Sequence, residues 1–333
     1  MWFWKQKKEL ATVATNPWNS DIPFNYASMW IGAKECLKSI QQRTSNDNSL
    51  HWLPYSVKKY MGPAMDPLKA AKPLDQYRCL ILGSNEGWME RMLCESGFKG
   101  EIIASDIADK ALHRAADAAK ERGFTNIRHV LADLNTAQFE GPFDFIVAEG
   151  VLHHIVNIEQ CLRMLESCLT ADGYVFAVEF EGPVRFQLSD LQVQWINAAL
   201  GVLPRGLRPL PVDSRAFYPA TPAENLRIKY HPPTEESIAA FDPSEAICGP
   251  MLKQLIPKVF EVVERNPFGG TLLSYMTQHF DFERSNVDDF SRAWLKILME
   301  LEQTLISTGI LEDEFVFYVL GRHKTAPAIP LRS

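Results

Sequence analysis

Between residues 78 and 182 the apolar positions alternate between two spacings. Short continuous apolar runs at 78–82, 101–105, 127–131, 143–149 and 173–180 predict strands buried on both faces. The stretches between them, 87–96, 108–122 and 151–169, carry apolar residues at helical spacing. Such alternation implies a parallel sheet with helices on both faces. Upstream, Met29–Gln41 has helical spacing and Arg43–Leu50 reads as a polar loop. After residue 182 the pattern breaks. Prolines recur at 183, 204, 209, 211, 219, 222, 232 and 233, and Leu188–Leu203 is the amphipathic helix inside this stretch. A long irregular insertion of this kind is usually functional, and a lid over a site is the expected role. Regularity returns with a helix at Pro243–Ile256, a strand at Lys258–Arg265, a helix at Phe290–Ser307 and a last strand at Phe315–Leu320. The helix carries Leu295, Leu298, Leu301 and Leu305 on one face. The expected organisation is an N-terminal helical extension (1–75), an α/β core (76–182), a lid or substrate insertion (183–242), completion of the core (243–324) and a flexible tail (325–333).

Bulk properties narrow the function more than the fold. Apolar residues make up 46% and charged residues 23% of 333, as in an ordinary globular chain. A net charge of −7 argues against a nucleic-acid surface, which needs clustered Lys and Arg. No run of 18 apolar residues exists, so no membrane span is expected. The six cysteines show neither a CxxC pair nor zinc-like spacing, which favours a reducing, cytoplasmic setting. Trp2, Phe3 and Trp4 beside Lys5, Lys7 and Lys8 fit contact with a membrane surface or a partner, a homodimer contact included, but the favoured reading is a terminal helix docking its aromatics on the protein's own surface.

The chemistry concentrates at the ends of the predicted strands. Gly83 and Gly87 bracket a turn after the first strand, where backbone approaches a ligand closely. Asp106 ends the second strand beside that turn, at the switch point of an open α/β sheet. A carboxylate there accepts both hydroxyls of a ribose, so a nucleoside-containing cofactor is expected. The turn, Gly83-Ser84-Asn85-Glu86-Gly87, fails the G-x-G-x-x-G test of nicotinamide and flavin sites, and no phosphate-binding Gly-Lys-Ser/Thr follows. It fits a loop cradling the amino-acid and ribose parts of S-adenosylmethionine, which carries no phosphate. Asp133 follows the third strand, where an acid meets an adenine amino group, and Glu149-Gly150 ends the fourth.

Residues 78–182 resemble the class I S-adenosylmethionine-dependent methyltransferases. The resemblance rests on the L-x-L-G turn, Asp106, the Ala-Asp-Leu at 132–134, Val-Leu-His-His at 151–154 and Ala-Asp-Gly-Tyr-Val-Phe at 171–176. It implies a doubly wound, seven-stranded, mostly parallel Rossmann-like sheet, its final strand 315–320 antiparallel. It implies S-adenosylmethionine as cofactor and S-adenosylhomocysteine as product. Gly83, Ser84, Asn85, Glu86, Gly87, Asp106, Ile107, Asp133, Leu134, Glu149 and Gly150 would line the cofactor. The segments 179–208, 242–247 and 268–273 are similar to a bacterial subgroup associated with glycan biosynthesis, which points to a small-molecule or glycan-like acceptor. The chain departs from the common G-C-G-x-G turn at Ser84 and Asn85. Asn is the non-glycine residue best suited to left-handed backbone, so the turn survives if Asn85 adopts it.

Methyl transfer to oxygen is an in-line displacement that needs alignment and a proton acceptor. His153 and His154, after the fourth strand, are the candidate bases, with His153 preferred. Only one of them can face the site if they share a helix. Glu179 and Glu181 end the fifth strand at the same rim; one would bind a substrate hydroxyl, or both would pair with Arg185 or Arg208. Arg185, Tyr218 and His231 are the candidate acceptor contacts on the insertion, and Trp88 reads as packing. No metal site is expected. Two other readings fit the same residues: N- or C-methylation of a natural-product intermediate, and a non-catalytic scaffold that keeps the cofactor fold.

Overall fold

The computed structural model describes residues 18–20, 28–208 and 229–323. Seven strands form one sheet in the order β3-β2-β1-β4-β5-β7-β6. They are β1 (Arg78–Leu82), β2 (Glu101–Asp106), β3 (Ile127–Leu131), β4 (Phe143–Glu149), β5 (Leu169–Phe180), β6 (Glu261–Gly269) and β7 (Phe315–Gly321). Strands β1 to β5 pair in parallel, while β7 lies antiparallel between β5 and β6. The chain order reverses direction between β1 and β4, so the carboxyl ends of these two strands face one crevice.

Each face of the sheet has its own core because alternate residues of a strand point oppositely. On β1, Cys79 and Ile81 join one cluster, and Leu80 and Leu82 join the other. The first face is covered by α1 (Lys34–Ser45), α2 (Trp52–Tyr60), α4 (Trp88–Glu95), α7 (Asp190–Val202) and α10 (Asp289–Ser307). A short helix, α3 (Gly62–Met65), follows α2; α5 (Asp109–Glu121) joins β2 to β3, and α8 (Glu235–Phe241) ends the insertion. The second face holds α6 (Ile158–Ser167) and α9 (Gly249–Val259). From residue 28 onward, the N-terminal segment is part of the molecule's main core rather than a separate cap. Trp52 is 3% exposed and its ring lies 5.8 Å from that of Phe317 on β7.

Several elements differ from the sequence expectation for local reasons. The expected helix 151–169 is two pieces: a 3-10 turn at Leu152–His154, then α6 from Ile158. The backbone N–H groups of Val156 and Asn157 donate to Asn135 Oδ1, which holds the break open. β5 starts at Leu169, four residues early, because its first residue pairs with Phe143 ahead of a register shift. The helix expected at 243 starts at Gly249. Residues 242–245 are turned instead by Asp242, whose Oδ1 accepts the Ser244 N–H and Oγ–H. α9 then runs through Val259, so β6 is 261–269 rather than 258–265. α1 continues to Ser45, taking the first residues of the expected 43–50 loop, and ends on left-handed Asn46. The aromatic N-terminus, residues 209–228 of the insertion and the expected tail lie outside the described residues.

Candidate active site at the carboxyl rim of the sheet

The turn after β1 is built from three left-handed residues: Gly83 (φ 67°), Asn85 (φ 47°) and Gly87 (φ 74°). Asn85 therefore adopts the conformation that the absent glycine would have supplied. Gly87 cannot carry a side chain, since a Cβ there would lie 2.7 Å from Ala115 Cβ on α5. Asp106 fastens the turn. Its Oδ2 accepts the Asn85 N–H at 2.8 Å and its Oδ1 accepts the Ala108 N–H at 2.8 Å. Burial raises the Asp106 pKa, and the backbone N–H groups of Asn85, Ala108 and Ile107 draw it back. Each carboxylate oxygen has a further lone pair available to a ligand hydroxyl.

Beneath the turn lies a carboxylate that the sequence reading did not single out. Glu90 on α4 is fully buried; Ser84 Oγ donates to its Oε1 at 2.6 Å, and His129 Nε2 lies 3.2 Å from the same atom. Ser84 is thus a buried prop rather than a cofactor contact. Glu86 is likewise engaged, its carboxylate bound by Arg114 at 2.6–3.1 Å. Asp133 caps its own loop by accepting the Asn135 N–H at 2.9 Å, and Leu134 is buried beside it.

At the exit of β4, Glu149 is half-buried and Gly150 takes φ 60°. Burial and the neighbouring Glu179 raise the Glu149 pKa to about 7, against the pull of hydrogen bonds from the Trp52 and Trp88 side chains. Trp88 therefore does more than pack: it aims an N–H at a carboxylate of the rim. His51, whose ring lies 5.4 Å from both indoles, is held neutral by burial, its pKa lowered to about 4.

Glu179 and His153 occupy structural positions. Glu179 is fully buried, and its Oε1 accepts the N–H groups of Val151 (3.0 Å) and Leu152 (2.7 Å) at the start of the 3-10 turn. Its Oε2 meets His153 Nδ1 at 2.9 Å. Burial opposes the imidazolium, but Glu179 and Glu245 outweigh it and hold the His153 pKa up at about 10. His153, the preferred base, is thus enclosed by Glu179 and Glu245 on its two ring nitrogens, and Glu179 has no oxygen left for a substrate. His154, in contrast, has its pKa lowered by burial and by the neighbouring His153. Both rings turn the same way, 4.3 Å apart, because the segment is a tight turn rather than the expected helix.

Two described arginines of the insertion, Arg185 and Arg208, serve the fold. Arg185 donates to the carbonyls of Asp242, Pro243 and Glu245 at 2.6–3.2 Å, which spends the guanidinium expected to bind acceptor. Arg208 donates to the Leu200 and Leu203 carbonyls. Glu181 pairs instead with Arg265 (2.6 Å) and with Tyr318 Oη–H. His231 is exposed, and Tyr218 lies outside the described residues.

The rim fits S-adenosylmethionine in charge and in hydrogen-bonding sense. Besides a carboxylate and the adenine ring nitrogens, which accept, that cofactor presents a sulfonium, an ammonium, two ribose hydroxyls and an adenine amine, which are cations or donors. Asp106, Asp133 and Glu149 answer with acceptors, and the adjacent cation Arg114 is tied to Glu86. Residues 75–199 match a protein family described as a methyltransferase domain. The core is a class I methyltransferase domain, the kind that uses S-adenosylmethionine. Over 141 residues the chain is 28% identical to a ubiquinone/menaquinone biosynthesis C-methyltransferase of Idiomarina loihiensis, covering 42% of this chain and 53% of that protein. Over 108 residues it is 27% identical to a ubiquinone biosynthesis O-methyltransferase of Caulobacter vibrioides, covering 32% and 42%. The chain thus spans about half the length of the curated relatives it matches. An S-adenosylmethionine-dependent methyltransferase from Mesorhizobium loti shares 18% identity at a TM-score of 0.42, covering 79% of this chain and all of that one.

The methyltransferase core was legible from its glycines and strand-end acids. Glu90, Trp52, Asp242 and Glu245 were not, because each reaches the rim from a distant part of the chain or from behind the turn.

Proposed function

We propose that this protein transfers a methyl group from S-adenosylmethionine to an oxygen of a small-molecule or glycan-like acceptor, with Glu149 taking the acceptor's proton. The observation that carries this reading is Glu149 itself. It is a half-buried carboxylate at the carboxyl end of β4, beside the Trp52 and Trp88 indoles, with its pKa raised to about 7 by burial and by Glu179. A base works best when its pKa lies near the working pH. When bound, the cofactor supplies an electrophilic methyl on a positively charged sulfur. Asp106 holds the ribose while keeping the Gly83–Gly87 turn in place. Trp52 and Trp88 orient the Glu149 carboxylate, which receives the hydroxyl proton as the O–C bond forms and the C–S bond breaks. Asp133 and Gly150 complete the cofactor cradle.

The two curated relatives are named for C- and O-methylation, so their names favour neither atom; the neutral-range carboxylate supports oxygen. The test is transfer of labelled methyl from S-adenosylmethionine to acceptor panels with sugars first, after calorimetry with S-adenosylhomocysteine. Glu149→Gln is expected to lower kcat by about 10²- to 10⁴-fold while leaving S-adenosylhomocysteine affinity within a few-fold. Unchanged turnover in Glu149→Gln would sink the assignment and favour a nitrogen or carbon acceptor.

A further inference from the structure

Behind the rim, the 3-10 turn meets the chain as it returns from the insertion. His153 and His154 lie against Glu245, whose donor atoms and theirs all fall within 4.8 Å of one another. Glu245 comes from a loop more than ninety residues downstream, which is why the cysteine and histidine spacing of the sequence showed no metal site. It is 4% exposed, its Oε1 sits 3.7 Å from His153 Nε2, and its Oε2 has no hydrogen-bond partner among the described residues. A buried carboxylate oxygen without a partner is costly unless something fills the gap.

The tautomers of both histidines follow from their neighbours. Glu179 can only accept, so His153 Nδ1 carries the hydrogen it donates at 2.9 Å, and Nε2 is the remaining donor atom toward Glu245. Ser244 spends its single proton on Asp242 Oδ1 at 2.6 Å, so its Oγ accepts from His154 Nδ1–H at 3.1 Å, and Nε2 is again the basic nitrogen. Each imidazole is therefore oriented through Nδ1 by an outer partner, the arrangement that metal-binding histidines use. Once an ion replaces the proton on His153 Nε2, both imidazoles are neutral, and Glu179, Asp242 and Glu245 against the nearby Arg185 leave a surplus of two negative charges for it to meet.

We propose that His153 Nε2, His154 Nε2 and Glu245 bind one divalent first-row cation of the Zn²⁺ or Co²⁺ class. Two imidazole nitrogens and one carboxylate oxygen suit such borderline ions better than Mg²⁺ or Ca²⁺. Bonds of about 2.1 Å separate tetrahedral ligand atoms by about 3.4 Å, so the cluster closes by roughly an ångström on binding. The ion joins the exit of β4 to residue 245 and thereby fastens the end of the insertion to the rim. Backbone bonds already begin this link, since the N–H groups of Ile247 and Cys248 both donate to the His153 carbonyl. The site stands whether or not the acceptor is an oxygen.

The experiment is titration of the chelator-stripped full chain with Co²⁺, followed by its visible d–d absorption, with Zn²⁺ in competition. The expected result is one Co²⁺ per chain without a thiolate charge-transfer band, and a raised melting temperature. Glu245→Gln and His154→Ala each weaken binding at least 10-fold. Ser244→Ala, which leaves the three ligands in place, weakens it by about 10-fold through the loss of His154 orientation. Failure of folded wild-type protein to bind Co²⁺ or Zn²⁺ overturns the proposal. So does a thiolate band, which would place the ion on a cysteine, or affinity that is unchanged in both ligand variants.

Discussion

Asp106→Ala separates the two duties assigned to this residue. In the protein alone, the substitution strips acceptors from the Asn85 and Ala108 N–H groups, both bonded at 2.8 Å. These groups lie at the rim, where water replaces much of the loss, so the stability cost is about 1–2 kcal/mol. In the complex, two charge-assisted hydrogen bonds to ribose hydroxyls disappear. At about 1.5 kcal/mol each they total about 3 kcal/mol, roughly a 150-fold rise in Kd. Calorimetry with S-adenosylhomocysteine measures the second quantity, and thermal melting the first, with a drop of a few degrees expected. Asp106→Asn, which retains one acceptor, should fall between wild type and alanine in both assays. A folded Asp106→Ala protein that binds S-adenosylhomocysteine within threefold of wild type would refute the placement of the ribose on this carboxylate.

Gly87→Ala should cost about 1–3 kcal/mol, from left-handed backbone and the 2.7 Å approach to Ala115 Cβ, read as a lower urea midpoint at unchanged slope. Turnover should rise with pH through about 7 as Glu149 becomes the carboxylate, and this limb should vanish in Glu149→Gln; a pH-independent wild-type profile would contradict the assignment. Glu314 is buried and its pKa is raised to about 7 by burial, against hydrogen bonds from Tyr275 and Gln192. The fold then retains a proton that the unfolded chain has released. The stability it contributes is complete below about pH 4.5 and declines by about 3 kcal/mol as pH rises to about 7. Subtracting the denaturation curve of Glu314→Gln across that range isolates this slope. Arg265→Ala leaves Glu181, 8% exposed, with the Tyr318 hydroxyl as its remaining side-chain partner among the described residues, and should destabilise by about 3 kcal/mol; a shift below 1 kcal/mol in urea denaturation would show that water replaces the guanidinium.

The periodicity of the chain determined the alternation of parallel strands and helices between residues 78 and 182, and the glycines marked the turn after the first strand, because hydrophobic spacing and left-handed backbone are local properties. Asp106 was readable for the same reason: a strand that ends on an acid beside a glycine turn places it at the switch point whatever the rest of the chain does. Asn85 could be foreseen as tolerable, and its φ of 47° bears this out. Only the tertiary structure decided which acids and histidines are free to act. Glu179 looked like a rim carboxylate until its oxygens met the N–H groups of Val151 and Leu152. His153 came to lie between Glu179 and Glu245, and Arg185 turned from an acceptor contact into a fastener of residues 242–245. Protonation and hydrogen-bond saturation depend on partners brought close in space from far along the chain, and on how completely water is excluded around them. No spacing rule within one segment carries that information.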